Sequence, residues 1–127
     1  MIYTASKTKH HEIWKEYRAR SYPISSSWID EALPGQTKCK SELYQRCINE
    51  VVRSRVMVIY APAEDEMKGA LIEWGAALAT SIPVLYVGAE HSWCRHPLVW
   101  DLTSLDWAME SARRYCNRMP FDFRRGS

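Results

Sequence analysis

Almost no net charge, no C-x-x-C pair and no glycine-rich phosphate loop are present in this chain, and each absence removes a class of function. Seventeen lysines and arginines against fifteen acidic residues leave +2, too little to imply nucleic acid. The basic residues are scattered, dense only at Arg113–Arg114 and at Arg124 and Arg125 in the tail, so no nucleic-acid partner is expected. The four cysteines (Cys39, Cys47, Cys94, Cys116) form no C-x-x-C pair and read as reduced and mostly buried thiols of a cytoplasmic protein. No P-loop, G-x-S-x-G or G-x-G-x-x-G occurs. Met1 leads into Ile2-Tyr3-Thr4-Ala5 without a basic n-region or a long apolar run, so no signal peptide is expected. There is no internal repeat, linker or low-complexity segment, and Gly126-Ser127 is set aside as a cloning remnant.

What is present suits one soluble domain spanning residues 1–127, with 46% hydrophobic and 25% charged residues. Six tryptophans and seven tyrosines are many for this length. Most belong to a core or an interface, and a few to a stacking surface for a flat ligand.

Short apolar runs alternate with helical periodicity. Ile2–Ala5 reads as a first strand. A helix runs from His10 to near Arg20, with Ile13, Trp14 and Tyr17 on one face. Pro23 ends that pattern, and Ile24–Ser27 is a second short strand. After a loop from Trp28 to Lys40, Ser41 caps a helix to about Ser54. Leu43, Cys47 and Val51 form one of its apolar rows, and Tyr44, Ile48 and Val52 the row beside it. Val56–Tyr60 is a continuous apolar strand of the kind covered on both faces. An acidic loop (Glu64, Asp65, Glu66) leads to a helix over roughly Met67–Thr80 and a buried strand at Pro83–Val87. A loop over Gly88–Pro97 precedes a last strand at Leu98–Leu102 and a helix capped by Ser104. The alternation predicts an α/β fold: a small Rossmann-like (flavodoxin-like) parallel sheet of about five strands flanked by helices.

Ligands of such sheets bind beyond the carboxyl ends of the strands. That rule selects Ser6–Lys9, Trp28–Glu31, Ala61–Gly69 and Gly88–His96. It also selects Glu73, the only charged residue between Gly69 and Val87. A carboxylate in so apolar a run must be paired, hydrogen-bonded or open to a cavity. It is either a candidate catalytic group or a structural partner of a cation such as Arg46. Gly69, one turn earlier on the same face, would let a substrate approach closely. Trp28 either stacks on a base or fills the core. Ser6, Lys7 and Thr8 either hold a phosphate at the opening of the first helix or simply cap it. Lys68 either meets an anionic group or offsets the acidic run. His91, Cys94 and His96 match no standard metal spacing, so no metal is expected there, and the loop reads as a pocket cover with Trp93 packed over it.

The first strand with Tyr3, the G-A-L-I-E-W-G-A-A-L helix and the I-P-V-L-Y-V strand resemble the nucleoside 2-deoxyribosyltransferases and related nucleotide N-glycoside hydrolases. Gly69, Glu73, Gly75 and Ala77 match, in order, that family's glycine, nucleophilic glutamate, second glycine and following small residue. The resemblance implies that Glu73 attacks the anomeric carbon of a nucleoside or nucleotide, forming a covalent glycosyl-enzyme that a second base or water resolves. It implies that Tyr3 orients the carboxylate, that no cofactor is needed, and that the chain is a homo-oligomer. The family's aspartate, six residues before the glutamate, is Met67 here. Asp65, Glu66 or Asp30 would have to protonate the leaving base. The rival expectation is a protein that holds a nucleotide or nucleotide-derived signal and releases it unchanged.

Overall fold

Four parallel strands build the sheet in the order β1-β2-β3-β4: β1 (Ile2–Ala5), β2 (Val56–Ala61), β3 (Val84–Gly88) and β4 (Val99–Leu102). The computed structural model describes residues 1–63 and 65–118. Glu64, the basic pair Arg124–Arg125 and Gly126-Ser127 therefore lie outside the described residues. Helices α1 (His11–Ala19), α2 (Lys40–Arg53), α3 (Gly69–Ala79) and α4 (Leu105–Cys116) flank the sheet. β1 and β2 are buried along almost their whole length and β3 up to its last residue, as continuous apolar runs demand of a doubly covered sheet. Among the described residues no helix is long and apolar enough to cross a membrane, and Gly69–Val87 divides into α3 and β3.

Register assigns the faces. Tyr3 lies opposite Met57 and Met57 opposite Val84, while Ile59 lies opposite Tyr86. Period-two alternation therefore puts these residues on one face of the sheet. It is the face of α2 and α3, since Trp74 of α3 stacks on Tyr86 at 5.3 Å. α1 and α4 share the other face, joined by a Tyr17–Asp106 hydrogen bond and by Tyr22 Oη donating to Glu110 at 3.4 Å. Glu110 also takes Arg113 at 2.7 Å and Arg114 at 3.0 Å, so the dense basic pair seen in the sequence has an internal carboxylate partner.

The expected fifth strand, Ile24–Ser27, is reduced to one bridge between Ile24 and Ile2. The outer edge of β1 is satisfied by other means. Ile2 N donates to Pro23 O at 2.8 Å and Ser25 N to Ile2 O at 2.9 Å. Farther along, Thr4 N donates to Ser26 Oγ at 2.6 Å, and Trp28 Nε1 donates to Thr4 O at 2.8 Å. Side chains thus take the places of strand backbone, and the chain turns into a 3-10 segment at Ser27–Asp30. With Ile24 counted as a vestigial strand outside β1, the order is the flavodoxin-like one, with its reversal between β1 and β2.

Helix ends show both agreement and correction. Ser104 caps α4, its Oγ accepting from Trp107 N at 3.1 Å. Ser41 does not cap α2, which begins at Lys40 with Cys39 before it. α1 and α3 each end on a serine in the left-handed region, Ser21 (φ 70°) and Ser81 (φ 59°). After α3, Ile82 N donates to Ala77 O at 2.8 Å and Ser81 N to Leu78 O at 3.1 Å, the paired bonds of a Schellman turn. That turn sets β3 directly after α3.

Candidate functional site

A cavity of about 520 Å³ opens at the carboxyl ends of β1 and β2, the reversal point once the Ile24 bridge outside β1 is counted. The segment after β1 contributes Ser6, Lys7, Thr8 and Lys9. The segment after β2 contributes Glu66, Met67 and Lys68, followed by Gly69, Ala70 and Glu73 of α3. Trp28 forms a wall, and α2 adds Leu43, Tyr44 and Cys47.

Glu73 sits in the second turn of α3, and among the described residues it makes no salt bridge. Arg46, the cation that could have clamped it, pairs with Glu31 instead. Burial pushes the Glu73 carboxyl up to about 7; the neighbouring Tyr3 and Cys47 pull it down and the charge of Glu50 adds to the rise. Burial therefore outweighs any help from the helix N-terminus, and near neutrality the group is divided between its acid and carboxylate forms. Tyr3 lies beneath, fully buried, and its hydroxyl has no partner at hydrogen-bonding geometry among the described residues. Burial, then the charge of Glu73, raises the Tyr3 pKa far above its ordinary value, so the phenol stays protonated and is available as a donor to the carboxylate. Burial likewise pushes the Cys47 thiol, 6% exposed, up to about 11. Glu73, Tyr3 and Cys47 are thus a polar cluster set into the apolar floor between α2 and α3.

Asp65 is not in this cavity. Its side chain is 2% exposed and bonds Lys9 Nζ at 2.9 Å and His10 Nε2 at 2.6 Å. Lys9 first, and His10 after it, hold its carboxyl below the usual range. Asp65 therefore serves as a clasp between the two segments that form the mouth, and the His10 ring packs edge-on to Tyr60 at 5.0 Å. Replacing it with asparagine removes the charge that holds the Lys9 ammonium and the His10 ring. Ligand affinity, measured as Kd or KM, should weaken about tenfold, with kcat changed less, as expected for loss of charge-assisted bonds that shape a site. Equal losses in kcat and kcat/KM would instead make Asp65 a proton donor.

Asp30 is also elsewhere. It is exposed and paired with Arg18 through two bonds of 2.9 and 2.7 Å, and Arg18 lowers its pKa. Trp93 does not cover the Glu73 cavity; it is 56% exposed and lines a separate cleft. Ser6, Lys7, Trp28, Lys68 and Gly69 do line the Glu73 cavity. Ser6 caps no helix, its hydroxyl donating to Lys7 O at 2.9 Å and accepting from Trp14 Nε1 at 2.8 Å. Lys7 and Lys68 make no ion pair among the described residues. Trp28 is both core and wall, being buried and fixed by its bond to Thr4 O. Of the acidic run, Glu66 faces the cavity.

The contribution of α2 escapes a sequence reading. Leu43 and Cys47 share a helical row with core residue Val51, and nothing in that spacing separates a cavity floor from a core. Tyr44, placed in an apolar row by periodicity, is 63% exposed at the rim. All four cysteines are free, but only Cys47 is buried. Among the described residues no three His, Cys, Asp or Glu side chains converge on a metal position. No family model, curated protein or solved structure matches this chain.

Proposed function

We propose that the chain cleaves or transfers at the N-glycosidic bond of a (deoxy)nucleoside or nucleotide, through a covalent glycosyl-glutamate at Glu73. The observation that carries this reading is a carboxylate with no counter-cation among the described residues, on the wall of a ligand-sized cavity at the carboxyl ends of β1 and β2 and above a protonated tyrosine. In the first step a Glu73 oxygen bonds the anomeric carbon as the bond to the base breaks, its electron pair leaving with the base. Glu66, the other carboxyl group on the cavity among the described residues, is the candidate donor of the base's proton. In the second step water, or another base, attacks the anomeric carbon and frees Glu73. Trp28 and Tyr44 supply flat faces for the base, and Lys7 and Lys68 suit a 5′-phosphate. The chemistry requires no metal or organic cofactor. A cytoplasmic homo-oligomer, a neighbour closing the open side over Tyr44, completes the proposal.

One observation favours the rival reading of a binding protein that sequesters a nucleotide. Met67 lines the cavity where the resembled family carries its aspartate, and neither Asp30 nor Asp65 reaches it. Incubation with deoxynucleosides and their 5′-monophosphates, followed by chromatography for free base, decides between the two. Base release that disappears in Glu73→Ala supports the enzyme. Tight binding without base favours sequestration, and no binding removes both.

A further inference from the structure

A second cleft, of about 540 Å³, lies between α3 and the segment joining β3 to β4. Leu71, Leu78 and Trp74 form its apolar side, and His91, Trp93 and His96 face them. We propose that this cleft is a separate small-molecule site for a flat aromatic compound carrying a carbonyl or carboxylate acceptor. The proposal is independent of the chemistry at Glu73.

The donors are fixed by backbone. Nδ1 of His91 accepts from Trp93 N at 3.2 Å, and Nδ1 of His96 accepts from Leu98 N at 3.0 Å. A ring nitrogen that accepts carries no proton, so each neutral imidazole carries its proton on Nε2. Neither Nε2 has a protein partner among the described residues, and neither is buried. Two N–H donors are therefore held by cleft-lining rings, and the His91 bond also caps the short 3-10 segment Ser92–Arg95. Among the described residues no carboxylate, lysine or arginine lines the cleft. Trp93 is 56% exposed and lies 6.2 Å from the His96 ring, while Trp74 stacks on Tyr86 and lies 5.2 Å from His91. Aromatic walls with donors at one end complement an aromatic body with acceptors at one end. The volume is that of a ligand pocket, and a concave cleft with oriented donors is not what a flat subunit contact requires.

Titration of the intact chain with 2-naphthoate, 2-naphthamide and 2-naphthylmethylamine, followed by tryptophan fluorescence and calorimetry, tests this. The two acceptor probes should bind saturably, and the amine about tenfold or more weaker. Trp93→Ala should weaken the acceptor probes by a similar factor. The double variant His91→Asp, His96→Asp keeps an acceptor for the two backbone N–H groups and leaves no side-chain donor in place of either Nε2; it should reverse the preference, the amine then binding more tightly than the acceptor probes. Gly75→Leu, at a position where an added Cβ meets nothing within 4 Å, fills the cleft from a helix that leucine favours and should abolish binding. Equal binding of the amine, no effect of Trp93→Ala, or no binding of any probe overturns the proposal. So does a concentration-dependent dimer that shields Trp93 from acrylamide, since a second copy of the chain would then own the surface.

Discussion

Above about pH 8, Glu73→Gln should be more stable than the unaltered chain by about 3 kcal/mol, melting roughly 10 °C higher, while releasing no base. The sign follows from proton binding. Burial raises the Glu73 carboxyl to about 7 in the folded chain, against an ordinary value of 4.5 when unfolded. Between those values the folded state holds a proton that the unfolded state has lost, so stability falls as pH rises through the interval. Below the lower value both states are protonated, and the variant and the unaltered chain should melt together. Above the upper value the folded state carries an ionised, half-buried carboxylate, and the neutral amide relieves it. A urea series across pH reads the difference directly, and a gap that shrinks with rising pH would reverse the assignment. On the proposed reading the ionised form is also the nucleophile. The rate of base release, expressed as kcat/KM, should rise with pH as Glu73 ionises around 7 and fall again where the acid that protonates the leaving base loses its proton. A side chain whose ionisation weakens the fold is the pattern expected of chemistry rather than scaffold.

Gly88→Ala should cost about 3 kcal/mol or more, enough to unfold a large fraction of a chain of ordinary stability. Gly88 ends β3 at φ +154°, a backbone conformation that side chains disfavour. An added Cβ would stand 2.0 Å from Ala61 O and 2.4 Å from Ala61 C. Both obstacles are backbone, so no flexible side chain can yield. Ala61 O accepts from Ala89 N at 2.8 Å, and Gly88 is in register with Ala61. The substitution would therefore part β2 from β3 at the end that carries the candidate site. Gly75→Ala is the control: its Cβ meets nothing within 4 Å, and alanine in a helix interior should stabilise by about 0.5–1 kcal/mol. Urea midpoints for the two variants moving in the same direction would contradict this account.

The sheet was legible because its strands are uninterrupted apolar runs, such as Val56–Ala61 and Val84–Val87, bounded by amphipathic helices. The cavity was legible because strand ends in an open parallel sheet follow from topology alone. Glu73 stood out by its isolation among apolar residues. Other features depend on long-range partners that sequence spacing does not encode. Asp65 meets Lys9 and His10 across more than fifty residues, turning a candidate acid into a clasp. Asp30 faces outward to Arg18. Cys47 and Leu43 obey the same periodicity as true core, and only the packing of α2 against α3 makes them a cavity floor. Ile24–Ser27 has strand composition, but Pro23 lacks a donor and two side chains occupy the remaining positions beside β1.

That arrangement beside β1 bears on solubility. A naked sheet margin invites recruitment of another molecule's extended segment and, from there, fibre growth. Here the Ser26 hydroxyl and the Trp28 indole occupy the sites a recruit would use. A tryptophan that serves the ligand cavity therefore also acts as a gatekeeper against self-assembly, and removing it for the first purpose exposes the chain to the second hazard.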